Sequence, residues 1–307
     1  MAGEKVSIFE VGVRDGLQNE SRPVTLEDKL KLAQGLIDAG VTDFELGAFV
    51  REDRVPQMAD TSAVFEAIRT GKLKLKKARA WSLVPNRRGL ERAIAAGAKR
   101  IAIFTAASDT FNRKNIGMSI KESLLECREV IQVARKHKIY VRGYVSTCFG
   151  CPYEGKIAPR QALRVINKLA ELGVTQVSIG DTIGVATPFG VDQVVKPAFH
   201  LLGKEMTAIH FHDTRGTALA NTLRSIEHGV RTIDSSVGGL GGCPFAPGAT
   251  GNLATEDLVY MLNGMKFRSG IDLERLSQVS LEFARRIKRP ISSRYLQAFA
   301  TGTRFAS

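Results

Sequence analysis

The sequence has one tryptophan, four cysteines and five histidines in 307 residues, and aromatic residues make up only 7% of it. Four cysteines (Cys127, Cys148, Cys151 and Cys243) cannot staple a chain of this length, which excludes a disulfide scaffold. Cys148 and Cys151 form a C-x-x-C. With no second C-x-x-C and no thioredoxin-like context, they are read as a reduced, partly buried pair rather than a zinc or redox site. No apolar run has the length of a transmembrane helix. The opening stretch MAGEKVSIFEVG has neither an apolar h-region nor transit-peptide character. The expectation is a soluble cytoplasmic protein without a membrane partner. Dense Lys/Arg blocks, basic stretches interleaved with aromatics and nucleic-acid motifs are also missing, so nucleic acid is not an expected partner.

What the chain does have is apolar material, charge and repetition. At 44% hydrophobic residues it can bury a large core. A net charge of +13 without a basic cluster suits a diffuse field that attracts anionic small substrates, an incidental basic surface being the alternative. Strand-like runs alternate with helix-like runs, and the strands are expected at Val6–Gly12, Asp43–Phe49, Ala78–Val84, Arg100–Thr105, Tyr140–Ser146, Gln176–Gly180, Ala208–His212 and Thr232–Val237. The first helix is expected from Thr25 to Ala39, opening on a Thr25-x-x-Asp28 pattern that resembles a capping box. Gly40, Gly97, Gly173 and Gly229 each suit the left-handed position that ends a helix, and two of these exits echo each other, GVTDFELG and GVTQVSIG. Repeated βα units of this number predict an α/β fold, a closed (β/α)₈ TIM barrel with a doubly wound open sheet as the alternative. No linker divides the chain. The expectation is one domain over 1–307, the barrel spanning about 6–265 and extra helices about 266–307.

The five histidines are spent unevenly: HFHDTRG sets His210 and His212 one residue apart. On a strand, positions i and i+2 face the same side. Met206–Ile209 reads as the strand before them, Asp213 and Thr214 read as helix N-caps, and Leu219, Leu223, Ile226 and Val230 follow at helical spacing. The pair then lies at a strand's C-terminal end, where barrels bind ligands, although two solvated histidines would look the same. Closure of a barrel brings the seventh, eighth, first and second strands together. Arg14, Asp15 and Gln18 follow the first, Glu45 lies on the second, and a glycine-rich loop from 238 to 252 follows the eighth, containing Cys243 and ending at Asn252. Two imidazoles, a carboxylate and an amide oxygen suit a divalent cation with open positions, and Arg14 suits an oxyanion or a carboxylate. A surface Arg14–Asp15 pair and a helix-capping Asn252 are the plainer readings. The loop lacks the G-x-G-x-x-G order of a dinucleotide site, and its glycines would allow a lid.

The segments EVGVRDGLQNE, FVREDRVPQMAD, FTAASDTFNRKNI, RGYVSTCFGCPYEGKI, GDTIGVATP, HFHDTRGTALANTL and GGLGGCPFAPGATGNLATEDLVYML together resemble the 3-hydroxy-3-methylglutaryl-CoA lyase family, metal-dependent TIM-barrel lyases and Claisen-condensing enzymes. The resemblance implies retro-Claisen cleavage of an acyl-CoA, a Mg²⁺ or Mn²⁺ ion held by the residues matching Asp15, His210, His212 and Asn252, and a homodimer. It implies a substrate-holding Arg14, with Gln18 and Glu45 also on the substrate side, and a catalytic Cys243. Asp15 or His210 would be the base. One stretch departs from the family: Leu46-Gly47-Ala48-Phe49-Val50-Arg51-Glu52-Asp53 stands where hydroxyl residues and a Ser-Pro-Lys-type stretch are usual. A lyase for a related 3-hydroxyacyl-CoA therefore stays open, as does a condensing enzyme or aldolase on the same barrel.

Overall fold

The structure is a computed structural model. It describes residues 3–18, 20, 22–243 and 246–302, with the backbone alone at 243 and 246–250. The alternation predicted from the sequence folds into eight parallel strands: β1 (Ser7–Glu10), β2 (Asp43–Ala48), β3 (Arg79–Leu83), β4 (Arg100–Ala106), β5 (Tyr140–Ser146), β6 (Gln176–Asp181), β7 (Thr207–Phe211) and β8 (Thr232–Ser235). They close into a barrel. The closing seam pairs Ser7 with Thr232 and Glu10 with Ser235, in parallel register. The open-sheet alternative is thereby excluded.

Helices α1 (Leu26–Asp38), α2 (Thr61–Arg69), α3 (Arg87–Ala95), α4 (Asp109–Ile116), α5 (Ile120–Lys136), α6 (Pro159–Glu171), α7 (Pro188–Leu202), α8 (Ala218–Glu227) and α9 (Thr255–Gly264) connect or follow the strands. Two more, α10 (Leu273–Ile287) and α11 (Arg294–Ala300), come after them. Thr25 caps α1, its hydroxyl accepting the Asp28 N–H at 3.2 Å. The four expected glycine exits all have left-handed backbone, with φ of 102° at Gly40, 81° at Gly97, 87° at Gly173 and 103° at Gly229. No helix among the described residues is long and apolar enough to cross a membrane.

Alternate strand residues divide between two environments, as the strand period requires. Val177, Ile179, Ile209, Phe211 and Ile233 join the main core with helix residues such as Leu90, Ile166, Val194 and Leu258. Phe9, Val11 and Trp81 form a separate small cluster. Around that cluster lie buried polar and charged groups, among them Glu45, Arg142, Ser178 and Asp234. The main apolar core therefore lies between strands and helices, and the barrel's interior carries charge.

Most expected boundaries lie within one residue of those observed, the seventh strand ending at Phe211 rather than His212, and three differ by more. The first strand ends at Glu10 rather than Gly12, because the chain winds into a π-turn over Gly12–Gly16. The eighth ends at Ser235, before a 3₁₀ turn over Val237–Gly239. Asp213 and Thr214 do not cap α8, which starts at Ala218. The Asp213 carboxyl does accept the Ala218 N–H at 2.9 Å, so it binds the helix start from further back.

Candidate active site

The π-turn after β1 presents the first two site residues. The N–H groups of Asp15 and Gly16 both reach the Val11 carbonyl, at 2.7 and 3.1 Å, which gives the wider i→i+5 winding often found at functional sites. Its glycines allow a close approach. A Cβ on Gly12 would sit 2.6 Å from Glu10 Oε1 and 2.7 Å from Val237 Cγ1, and one on Gly16 would sit 2.8 Å from Leu240 Cβ. Glu10 fastens the turn to its neighbours by accepting the N–H groups of Gly12 (2.7 Å) and Val237 (2.9 Å) and the Thr255 hydroxyl (2.6 Å). Burial pushes this carboxyl up to about 7 against those bonds.

Asp15, His210 and His212 converge as predicted, with one ligand atom from each lying within 4.8 Å of the others. A backbone bridge between His212 and Asn252 brings in the fourth residue. The Asn252 amide donates to Asp15 Oδ2 (2.9 Å) and to the Leu240 carbonyl (3.1 Å). That leaves Asn252 Oδ1 buried and without a partner, and His212 Nδ1 is in the same state. Buried polar atoms are rarely left unpaired. An amide oxygen without a donor, beside a carboxylate and two imidazoles, suits a divalent cation. Burial and the neighbouring His210 lower His212 to about 4 against the pull of Asp15, so its ring stays neutral and able to ligate. Burial would raise Asp15, but Arg14, His210 and His212 hold it down at about 2. Asn252 does not cap a helix, since the residue before α9 is Ala254.

Arg14 is an ion-pair residue, though not at the surface: its side chain is 7% exposed. Nε donates to Glu45 Oε2 and Nη1 to Asp15 Oδ1, each at 2.5 Å. Burial disfavours the cation, yet Glu45 and Asp15 outweigh it and raise Arg14 further. Gln18 donates to Asp15 Oδ1 at 3.3 Å and so stands beside the same carboxylate. Glu45 also accepts the Tyr144 hydroxyl at 3.0 Å, and Tyr144 accepts Arg142 Nη1 at 2.8 Å. Arg142 continues to Asp234, which meets His210. Sequence reasoning missed Arg142, Tyr144 and Asp234. The available signal was a charged or hydroxyl-bearing side chain at every second position of an otherwise apolar strand.

Cys243 lies outside the residues whose side chains are described. Its backbone pairs with Ala246 in a short antiparallel hairpin, and the next strand of that hairpin leads to Asn252. Cys148 and Cys151 are free and buried. Burial pushes Cys148 up to about 12, so this thiol stays protonated, in keeping with a reduced pair. At the departing segment after β2, the Thr61 hydroxyl bonds both backbone groups of Ala48 at 3.1 Å, while Arg51 and Asp53 pair with each other in solvent.

Comparison with known proteins agrees with this geometry over nearly the whole chain. The HMGL-like family model matches residues 5–281. The mitochondrial hydroxymethylglutaryl-CoA lyase of Rattus norvegicus is 46% identical over 295 residues, 96% of this chain and 90% of its own length. The 3-hydroxy-3-isohexenylglutaryl-CoA/hydroxy-methylglutaryl-CoA lyase of Pseudomonas aeruginosa is 45% identical, over 89% of this chain and 90% of its own. The crystal structure of the Bacillus subtilis HMG-CoA lyase superposes with a TM-score of 0.93 at 41% identity, over 97% of this chain and 99% of that one. Relatives this similar over this much of the chain, on a barrel of the same shape, establish that the chain belongs to the HMGL-like family, alongside the hydroxymethylglutaryl-CoA lyases.

Proposed function

We propose that this protein is a divalent-cation-dependent carbon–carbon lyase that cleaves 3-hydroxy-3-methylglutaryl-CoA to acetyl-CoA and acetoacetate. The observation that carries the reading is the convergence of Asp15, His210 and His212, one ligand atom of each within 4.8 Å of the others, with Asn252 bonded to Asp15 and a buried Arg14 beside them. Oxygen and imidazole donors together suit a divalent cation, and the resemblance to the lyase family implies Mg²⁺ or Mn²⁺. To the same reading belong a homodimer and a cytoplasmic location.

The reaction removes the proton of the tertiary 3-hydroxyl and breaks the C2–C3 bond. C3 becomes the ketone of acetoacetate, and C2 takes a proton to complete acetyl-CoA. A cation held by Asp15, His210, His212 and Asn252 would supply Lewis acidity toward the substrate oxygens. Arg14 commits Nε and Nη1 to Glu45 and Asp15, which fixes the guanidinium plane. Nη2 remains to donate to the thioester oxygen, where negative charge develops as the bond breaks. Asp15 or His210 takes the hydroxyl proton. Cys243, on the loop after β8, supplies the proton to C2.

A second reading is favoured by the segment Leu46–Asp53, which departs from the family's usual hydroxyl-bearing pattern. It is a lyase for a 3-hydroxyacyl-CoA with a larger C3 branch, the kind of substrate named for the P. aeruginosa relative. Incubating the protein with each CoA ester and Mn²⁺ separates the two. Acetoacetate and acetyl-CoA released in equal amounts, and abolished by chelation, support the first. Turnover of the branched ester alone supports the second, and cleavage of neither refutes both.

A further inference from the structure

One carboxylate in the barrel's interior has no place in the chemistry above, although it touches a proposed ligand. Asp234 on β8 is in direct register with His210 on β7, and its Oδ2 lies 3.3 Å from His210 Nδ1. Resting on the reading of Asp15, His210, His212 and Asn252 as a cation site, we propose that Asp234 is a positioning residue. It holds the proton of His210 on Nδ1 and leaves Nε2 bare toward the cation, and Arg142 fixes the carboxylate that does so.

The hydrogen-bond inventory leads to this assignment. Every partner of Asp234 can give it a proton: Arg142 Nη2 to Oδ1 at 2.5 Å, Arg142 Nη1 to Oδ2 at 3.1 Å and the Ser178 hydroxyl to Oδ2 at 2.8 Å. Both members of the Arg142–Asp234 pair have fully buried side chains. The Arg142 guanidinium donates to both oxygens of a carboxyl that has no exposed surface, and this two-point ion pair holds Asp234 as the anion. An ionised carboxylate has no proton to offer. His210 Nδ1 must therefore be the donor, and Nε2 carries the lone pair. Carboxylates play this part behind many metal-bound imidazoles, setting the tautomer and raising the basicity of the ligating nitrogen. Arg142 is itself fixed, stacked over Phe9 at 3.9 Å and donating to Tyr144. Tyr144 meets the His210 ring edge-on at 6.2 Å between centroids. The two site histidines differ in this respect, because His212 Nδ1 has no such partner.

Asp234→Asn tests the assignment with almost no change of shape. Arg142 offers an N–H to both oxygens, and Nη2 is the nearer donor. The amide oxygen therefore takes the Oδ1 side, and the NH₂ turns toward His210. Nδ1 then has to accept, and the ring proton moves to Nε2. The full-length protein, stripped of metal and labelled with ¹⁵N-histidine, is read by long-range ¹H–¹⁵N correlation at alkaline pH, where imidazoles are neutral. A His210→Asn spectrum provides the assignment, and Mn²⁺ affinity is measured by calorimetry. The expected result is an Nδ1–H tautomer at His210 in the wild type, an Nε2–H tautomer in Asp234→Asn, and Mn²⁺ affinity weakened by about 10- to 100-fold, with His212 unmoved. A wild-type His210 in the Nε2–H form overturns the proposal, as does a variant that keeps both tautomer and affinity. If Asp234→Asn does not fold, the wild-type tautomer decides alone. A wild type that takes up no Mn²⁺ would instead overturn the cation site, a separate failure from that of the tautomer.

Discussion

Replacing Arg14 with methionine removes one cation from two jobs, and the structure lets the two losses be separated. The first is structural. Glu45, with no exposed side-chain surface, loses its 2.5 Å partner and keeps only the Tyr144 hydroxyl. Breaking a buried pair by removing one member costs about 3–5 kcal/mol. The remaining bond from Tyr144 places this case at the low end, about 3 kcal/mol. Asp15 is less affected, because Asn252 still donates to it. The second loss is catalytic, and removal of an oxyanion donor lowers kcat by about 10²- to 10³-fold. Arg14→Met/Glu45→Gln distinguishes them. Neutralising the stranded carboxyl should restore most of the stability read by urea denaturation and none of the kcat read by acetoacetate release. Mn²⁺ affinity should stay near that of the wild type in both variants. A single variant with near-normal kcat would reduce Arg14 to a buried ion-pair residue. Recovery of kcat in the double variant would show that the defect was in folding and not in charge stabilisation.

Three further outcomes are expected. His212→Ala should keep the fold and weaken Mn²⁺ binding in a calorimetric titration, and equal affinity would return the histidine pair to a merely structural role. Burial pushes the Glu256 carboxyl from 4.5 up to about 8, so between those values the folded chain holds a proton that the unfolded chain has released. Stability from this group is therefore lost as pH rises through that window. Relative to Glu256→Gln, which stays neutral, the wild type should lose stability on going from mildly acidic to mildly alkaline pH, and parallel denaturation curves would contradict this. Cys243→Ser should fold and bind Mn²⁺ yet cleave substrate at least about 10²-fold more slowly, the lower end of the range for losing a general acid. Full activity in that variant would remove the loop thiol from the chemistry.

The barrel was legible because its signals are local. Each strand announces itself by its own apolar run, and each helix exit by a glycine whose backbone only a glycine adopts cheaply. The cluster of Asp15, His210 and His212 was legible for a different reason. The i, i+2 spacing of His210 and His212 is local, and closure of a barrel dictates that the β1, β2 and β8 loops meet it. The π-turn was not legible, since Gly12 and Gly16 are needed for contacts with Val237 and Leu240, more than 200 residues away. Glu10 was equally hidden: it reads as the last polar residue of a strand, and only closure gives it the N–H of Val237 and the hydroxyl of Thr255. Arg142 and Asp234 are the hardest case. In YVRGYVS and TIDSS each looks like a charge at a strand's solvent face, because period 2 tells which residues share a face and not which face is wet. A buried ion pair seldom adds stability over an apolar pair of the same volume, so packing alone would not select these two. What Arg142–Asp234 adds, and a pair of leucines could not, is an acceptor of fixed charge and orientation behind His210. On the proposal above, the charge in the interior of this barrel is accounted for by the imidazole it faces.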